Sequence, residues 1–159
     1  MKKYALFSGM LIPVWLFCGV LIAGSLYPGY SHVDQAMSEL GALEAPTHQL
    51  SPIINNFPLG VLFLLFGGAV VSLFSGARLA QFSGLLLMLH GLASISAGLF
   101  ACDPGCNPVA PSPDQVLHNL SGLVMFASLT LANLLWVYLA RKRVGATGFS
   151  WFSLVCLIV

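Results

Sequence analysis

The sequence predicts an all-α fold: a polytopic transmembrane helix bundle of four complete spans and a partial fifth, with a short amphipathic helix on its outer face. Three observations predict it. Of 159 residues, 58% are hydrophobic and only 7% charged, whereas an average soluble domain carries roughly 25% charged residues. The apolar residues gather into runs about as long as the ~20 residues a helix needs to cross a bilayer. The charges are also sorted, with every Lys and Arg on one side of these runs and every Asp and Glu on the other.

The first run, 4–27, follows Lys2 and Lys3. Its apolar stretch is longer than the ~7–15 residues of a signal-peptide core. Cys18 follows Phe17 rather than a small residue, which is poor for a lipoprotein leader, so an uncleaved span is expected. The second run, 52–75, opens on Ser51-Pro52, a capping residue and then a proline suited to the first helical position. A tight "SGAR" turn leads to the third run, 79–100. The fourth, 113–140, has Ser112 as its cap, Pro113 at the first position and Gln115 to complete a capping box. The last run, 149–159, is too short to cross as a helix, so the natural protein is expected to continue. The whole chain is read as a single integral-membrane domain.

Lys2, Lys3, Arg78, Arg141, Lys142 and Arg143 share one side of this map; Asp34, Glu39, Glu44, Asp103 and Asp114 share the other. Basic residues mark the cytoplasmic side. The expected location is the inner (plasma) membrane, with the N-terminus cytoplasmic and the acidic loops outside. A net charge of +1 gives no overall field to attract nucleic acid. No phosphate loop, RNA-binding aromatic patch or GxSxG elbow occurs. Membrane lipids are the expected partners.

The first acidic loop carries "YSHVDQAMSELGA". A loop of this length with no structure of its own is uncommon, so a short helix is expected, capped by Ser31 and stopped by Gly41. Val33, Ala36, Met37 and Leu40 fall on one face at helical spacing. Asp34, Gln35 and Ser38 fall opposite, with His32 and Glu39 on a flank. Such a helix lies on the membrane surface. Its polar face is either solvated or the roof of a site between the spans, where His32, Asp34 and Ser38 would be ligand-binding residues.

The second acidic loop, "FACDPGCNPVAPSPDQVLHN", holds Cys102 and Cys106 around a Pro-Gly turn. In an oxidising compartment a disulfide is the leading expectation. Free thiols and a zinc site stay open as alternatives. Cys18 and Cys156 lie within the spans, where inert packing is expected.

Ionisable groups inside a bilayer are costly and mark functional sites by default. His90 sits roughly 15 Å along span three from Phe100 at 1.5 Å per residue. It is either a satisfied packing residue or part of a ligand site or proton path. His118 lies near the outer end of span four, roughly 9 Å from the height of His90 on the same rise. It is better placed to meet Asp103, His32, Asp34 or Glu39. A carboxylate beside an imidazole can orient it as a base or help it hold a metal. His118, Asp103 and Glu39 are therefore the candidate catalytic residues. No cofactor is required by the sequence, and a metal is compatible with it.

The pairing of "YSHVDQAMSELGA" with "FACDPGC…H" resembles a bacterial and archaeal membrane family known as domain of unknown function 998. The resemblance spans essentially the whole chain and rests most on Ser38-Glu39-Leu40-Gly41 and on Asp103 with His118. It implies a multi-span topology, commonly of six spans, and no reaction. Three functions follow from the residues: binding of a lipid or partner beneath the outer helix, hydrolysis of a lipid or headgroup at the outer face, or transport past His90.

Overall fold

The computed structural model describes residues 2–158. Regular structure among them is helical throughout. Helix α1 is Lys2–Ser25 and α2 is Phe57–Leu73, entered through a π turn at Pro52–Asn56. Helix α3 is Arg78–Leu99, and α4 is Pro113–Leu139, leaving through a second π turn at Ala140–Val144. Helix α5 is Thr147–Ile158, and short 3-10 turns occupy Met37–Gly41 and Pro104–Cys106. Each long helix packs on its neighbours in sequence, so α2 and α3 form the centre, α1 and α4 flank them, and α5 leans on α4. Four helices are long and apolar enough to cross a membrane, with α5 shorter. Phe7, Phe126, Phe152 and many other large apolar side chains are exposed. In a membrane protein these are the lipid-facing surface.

The α2–α3 contact is made by backbone. A Cβ added to Gly84 would lie 2.7 Å from the carbonyl oxygen of Gly67, and one added to Gly91 would lie 2.6 Å from that of Gly60. The two glycines on each helix are about two turns apart, so the helices touch twice along their length. Small residues at such a seam let dispersion and interhelical hydrogen bonds drive association where lipid is as apolar as the side chains. Near the loop end, Ser94 Oγ donates to the Asn56 carbonyl at 2.9 Å. Asn56 Nδ2 donates back to the Ser94 carbonyl at 3.4 Å. At the other end the hairpin closes through Gly76 at φ 86°, a left-handed position that glycine adopts without a Cβ penalty.

Around this seam Phe63, Val70, Leu86, Leu87 and Ala132 form the buried core, which joins α2, α3 and α4. Helix α1 is tied on by a consequence of Pro58. A proline has no N–H for the carbonyl four residues back, here that of Ile54, and Trp15 Nε1 donates to that carbonyl at 2.7 Å. The chain passes from α4 to α5 through Gly145 at φ 69°. The pair is then held by Asn133 Nδ2 donating to the Ser153 carbonyl at 3.2 Å and by Ser150 Oγ donating to Val137 O. Arg141 and Lys142 lie over the rings of Trp151 and Tyr138.

The short helix of the first loop is present but shorter than its periodicity predicts. Ser31 caps only one turn, accepting from Asp34 N at 3.2 Å. The chain then extends at Ala36 (φ −70°, ψ 146°) before the 3-10 turn Met37–Gly41. The break has a local cause: Glu39 Oε1 accepts from the Ala36 N–H at 2.9 Å, restarting the helix there. Leu40 is fully buried, while Val33 is 92% exposed, so the apolar stripe is split.

The glycine seam gives a matched test. Gly84→Ala places a methyl against a backbone carbonyl that cannot swing aside, and should cost about 1–3 kcal/mol. Gly68→Ala on α2 meets nothing within 4 Å and should be neutral or stabilising by up to ~1 kcal/mol. Unfolding in mixed micelles, followed by circular dichroism, reads both; equal effects would contradict the seam.

Candidate functional site

The two polar loops lie at the same end of the bundle; the first is closed on itself and then tied to the second. Thr47 Oγ1 donates to the Leu40 carbonyl at 2.7 Å, and His48 Nδ1 donates to that of Gly41 at 2.9 Å. Leu43 N donates to Cys102 O at 2.8 Å. The Sγ of Cys102 lies 3.6 Å from the Ser38 carbonyl. Cys102 is fully buried, and the Cα atoms of Cys102 and Cys106 are 5.0 Å apart, within the ~4.4–6.8 Å that a disulfide spans.

The carboxylates serve this framework rather than a common centre. Asp34 Oδ2 accepts from Ser31 Oγ at 2.6 Å. Glu39, besides capping Ala36, accepts from Gln35 Nε2 at 2.7 Å. Asp103 Oδ2 accepts from Ser112 N at 2.9 Å. The capping box at the start of α4 is thus completed by Asp103. Gln115 N donates to Ser112 Oγ, but the Gln115 side chain turns elsewhere: its Oε1 accepts from Asp103 N at 2.8 Å, and its Nε2 donates to Asn119 Oδ1 at 2.8 Å. His32 packs edge-on to Tyr30, with ring centroids 5.0 Å apart, and fills the space above Gly24 of α1. Among the described residues no group of three or more His, Cys, Asp or Glu is placed to hold a metal ion.

Beneath this roof is a cavity of about 200 Å³. Met37, Ser38 and Gly41 lie over it; Val20 of α1, Leu59 of α2, Gly98 of α3, and Gly122 and Met125 of α4 are among its walls. Asn55 and His118 also line it. Asn55 is 7% exposed, and its Oδ1 is buried with no hydrogen-bond partner. It sits where a Cβ on Gly19 of α1 would collide with it. His118 is half-buried, with Nδ1 2.8 Å from the Phe100 carbonyl. A carbonyl only accepts, so Nδ1 carries the proton, and a neutral ring then keeps its lone pair on Nε2.

His90 is elsewhere. It is 7% exposed, donates through Nδ1 to the Met125 carbonyl at 3.0 Å and packs at a tilt on the Phe63 ring, with centroids 4.1 Å apart. It borders a separate, largely apolar cleft of about 820 Å³ edged by Leu6, Phe126, Trp136 and Ile158. Of the residues singled out in the sequence, then, Ser38 and His118 meet at the cavity, while His32, Asp34, Glu39 and Asp103 build its roof and rim. Asn55 went unremarked in the sequence. Its signal was an adjacent pair of asparagines, Asn55-Asn56, entering an apolar run.

The fold and the exposed apolar belt define a multi-pass helical membrane protein. The chain belongs to the family described as protein of unknown function DUF998, whose model matches residues 10–159. No curated protein and no solved structure matches it.

Tyr30 gives the roof a titration handle. Its hydroxyl donates to the Ala36 carbonyl at 3.2 Å. Burial, and then the nearby Glu39 charge, push its pKa above the ordinary 10.0. Folding therefore favours the protonated phenol. The stability this contributes is present below the ordinary tyrosine value and is lost as pH rises through the raised folded value. Glu39→Gln keeps an acceptor for Ala36 and removes the charge. Ultraviolet titration, with Tyr30→Phe to identify the signal, should find Tyr30 ionising at lower pH in the Gln variant; an unchanged titration would detach Tyr30 from Glu39.

Proposed function

We propose that this protein is a non-enzymatic membrane protein that binds a lipid in the cavity beneath the Met37–Gly41 turn. The observation that carries the reading is the cavity's mixed lining: apolar walls from four spans together with the polar side chains of Ser38, Ser51, Asn55 and His118. The volume sets a scale. An apolar cavity of ~150 Å³ takes a benzene-sized guest, so about 200 Å³ suits a headgroup or part of a chain, with the remainder lying among the exposed apolar side chains.

Less supports hydrolysis. Asp103 and Glu39 both accept from backbone N–H groups, and neither is hydrogen-bonded to His118. Transport past His90 has to contend with a ring packed on Phe63. The sorting of basic and acidic residues supports the remaining parts of the proposal: a plasma-membrane location, a cytoplasmic N-terminus and loops on the outer face. There an oxidising compartment would keep Cys102 joined to Cys106.

Native mass spectrometry after gentle extraction tests the binding. The wild type should retain one lipid class above its bulk proportion, and Gly122→Phe, which fills the cavity from a position with nothing within 4 Å, should release it. Recovery of bulk lipid in bulk proportions from the wild type would end the proposal. A reporter enzyme fused after Val144 tests the orientation and should be active only as a cytoplasmic fusion; periplasmic activity would invert the topology.

A further inference from the structure

The basic end of the bundle carries a second site. We infer that the groove between the end of α4 and the start of α5 binds the phosphate headgroup of an anionic phospholipid. It lies at the opposite end of α4 from the cavity beneath the loops, and it does not depend on the lipid-binding reading given above.

Helices α4 and α5 run antiparallel, since Ser150 pairs with Val137 and Ser153 with Asn133. A groove of about 610 Å³ opens between them, within the ~300–1,000 Å³ of small-molecule sites. Arg141 and Lys142 line it together with Tyr138 and Trp151. The aromatic rings position the cations. Arg141 reaches across to α5 and lies 5.3 Å from the Trp151 ring centroid. Lys142 lies 5.2 Å from that of Tyr138, one turn back on its own helix. Both are within the ~6 Å of a cation–π contact. Neither cation is neutralised at the groove. Among the described residues no Asp or Glu lines it, and Asp34, Glu39, Glu44, Asp103 and Asp114 belong to the loops and the first turn of α4 at the other end. The carbonyls that end a helix repel an anion, but here they are committed. That of Ala140 accepts from the N–H groups of Gly145 and Ala146, and that of Val137 accepts from Ser150 Oγ. The uncompensated charge at the groove is therefore that of the two cations.

The layout of the groove favours a lipid over a soluble anion. Val137 lies one turn further into the bundle than Arg141, and Leu154 lies one turn beyond Ser150, which stands beside Val137. Each step is roughly 6 Å at 1.5 Å per residue. A phosphate held at Arg141 and Lys142 thus sets its glycerol and first methylenes against Val137 and Leu154. Tyr138 and Trp151 are half-exposed beside this passage, as amphipathic rings are at a membrane interface. A choline head would add a positive charge to a groove with no carboxylate, and the aromatic faces that could receive it are covered by Arg141 and Lys142. Basic pockets between spans recognise anionic headgroups by this chemistry.

The test uses the full chain in phosphatidylcholine nanodiscs doped with phosphatidylglycerol of the same acyl chains, with retained lipid read by native mass spectrometry. The wild type should retain phosphatidylglycerol at least about tenfold above its bulk proportion, since two basic residues at a membrane surface each contribute several-fold. Arg141→Gln together with Lys142→Gln should bring retention to the bulk proportion while leaving the helical circular dichroism intact. Arg143→Gln removes a charge of the same run that does not line the groove, and should keep most of the preference. Leu154→Trp fills the groove with every cation in place, and should lower retention about as far as the double substitution. A wild type without the preference, or a preference unchanged by the double substitution, would overturn the site. Equal losses from Arg143→Gln and from Arg141→Gln alone would also overturn it, because a diffuse field of charge would then hold the lipid. Release of the lipid by inorganic phosphate, at an ionic strength where chloride leaves it bound, would overturn the lipid assignment in favour of a free anion.

Discussion

Everything at the loop end depends on how closely α2 and α3 approach each other. With glycine carbonyls at the Cβ positions of the facing helix, this pair has no room for side chains between its backbones. The contact fixes the relative height of the two helices, because sliding one along the other would bring a side chain into each glycine notch. The reciprocal bonds between Asn56 and Ser94 lock the same register nearer the loops. Once that register is set, Asn55 and Gly98 face a common space, and α1 and α4 complete its walls. In lipid this order of causes is expected. No hydrophobic force separates helix from solvent, so the surfaces that fit most closely decide the arrangement.

The polar groups of the loops have a role consistent with this frame. A loop end between spans has many backbone N–H and C=O groups and little secondary structure to pair them. Each orphan group near the bilayer costs free energy. Glu39, Asp103, Thr47, His48 and Gln115 all spend their side chains on such groups. Carboxylates that sequence composition sets beside histidines are thereby distributed along the backbone instead of gathered on an imidazole. The roof is consequently tied down where it crosses the cavity, with Leu40 and Cys102 fully buried.

How much of this was legible in the sequence follows from the range of each interaction. The spans were legible because length and hydropathy are local properties, and a bilayer forbids most alternatives. The Ser112-Pro113 start of α4 was legible for the same reason. The extent of the loop helix was not, since Val33 and Leu40 share a helical face yet belong to different turns, separated by the Glu39 cap on Ala36. Nor was the seam, although Gly60 and Gly67 repeat at the spacing of Gly84 and Gly91. A repeat on one helix reads as a packing face only when its partner is known. Asn55 was missed because an asparagine at a helix entry passes for a cap, and only the fold shows that its Oδ1 points at Gly19 with no donor.

The histidines show how fold turns one residue type into different chemistry. His48, His90 and His118 each give Nδ1–H to a main-chain carbonyl, which fixes the ring and presents Nε2 outward as an acceptor. At His90 that ring is packed at a tilt against Phe63, where its work is to hold α3 to α4 through Met125. At His118 the same local bond lies at the edge of a cavity that Ser38 and Asn55 also line. Both rings are oriented alike by their own backbone partners. What separates them is the space next door, which Asn55 borders because Gly19 leaves room for its amide on α1 and because the glycine seam sets the height of α2. The cavity is therefore a product of helix packing: its walls come from four helices whose heights the small residues set.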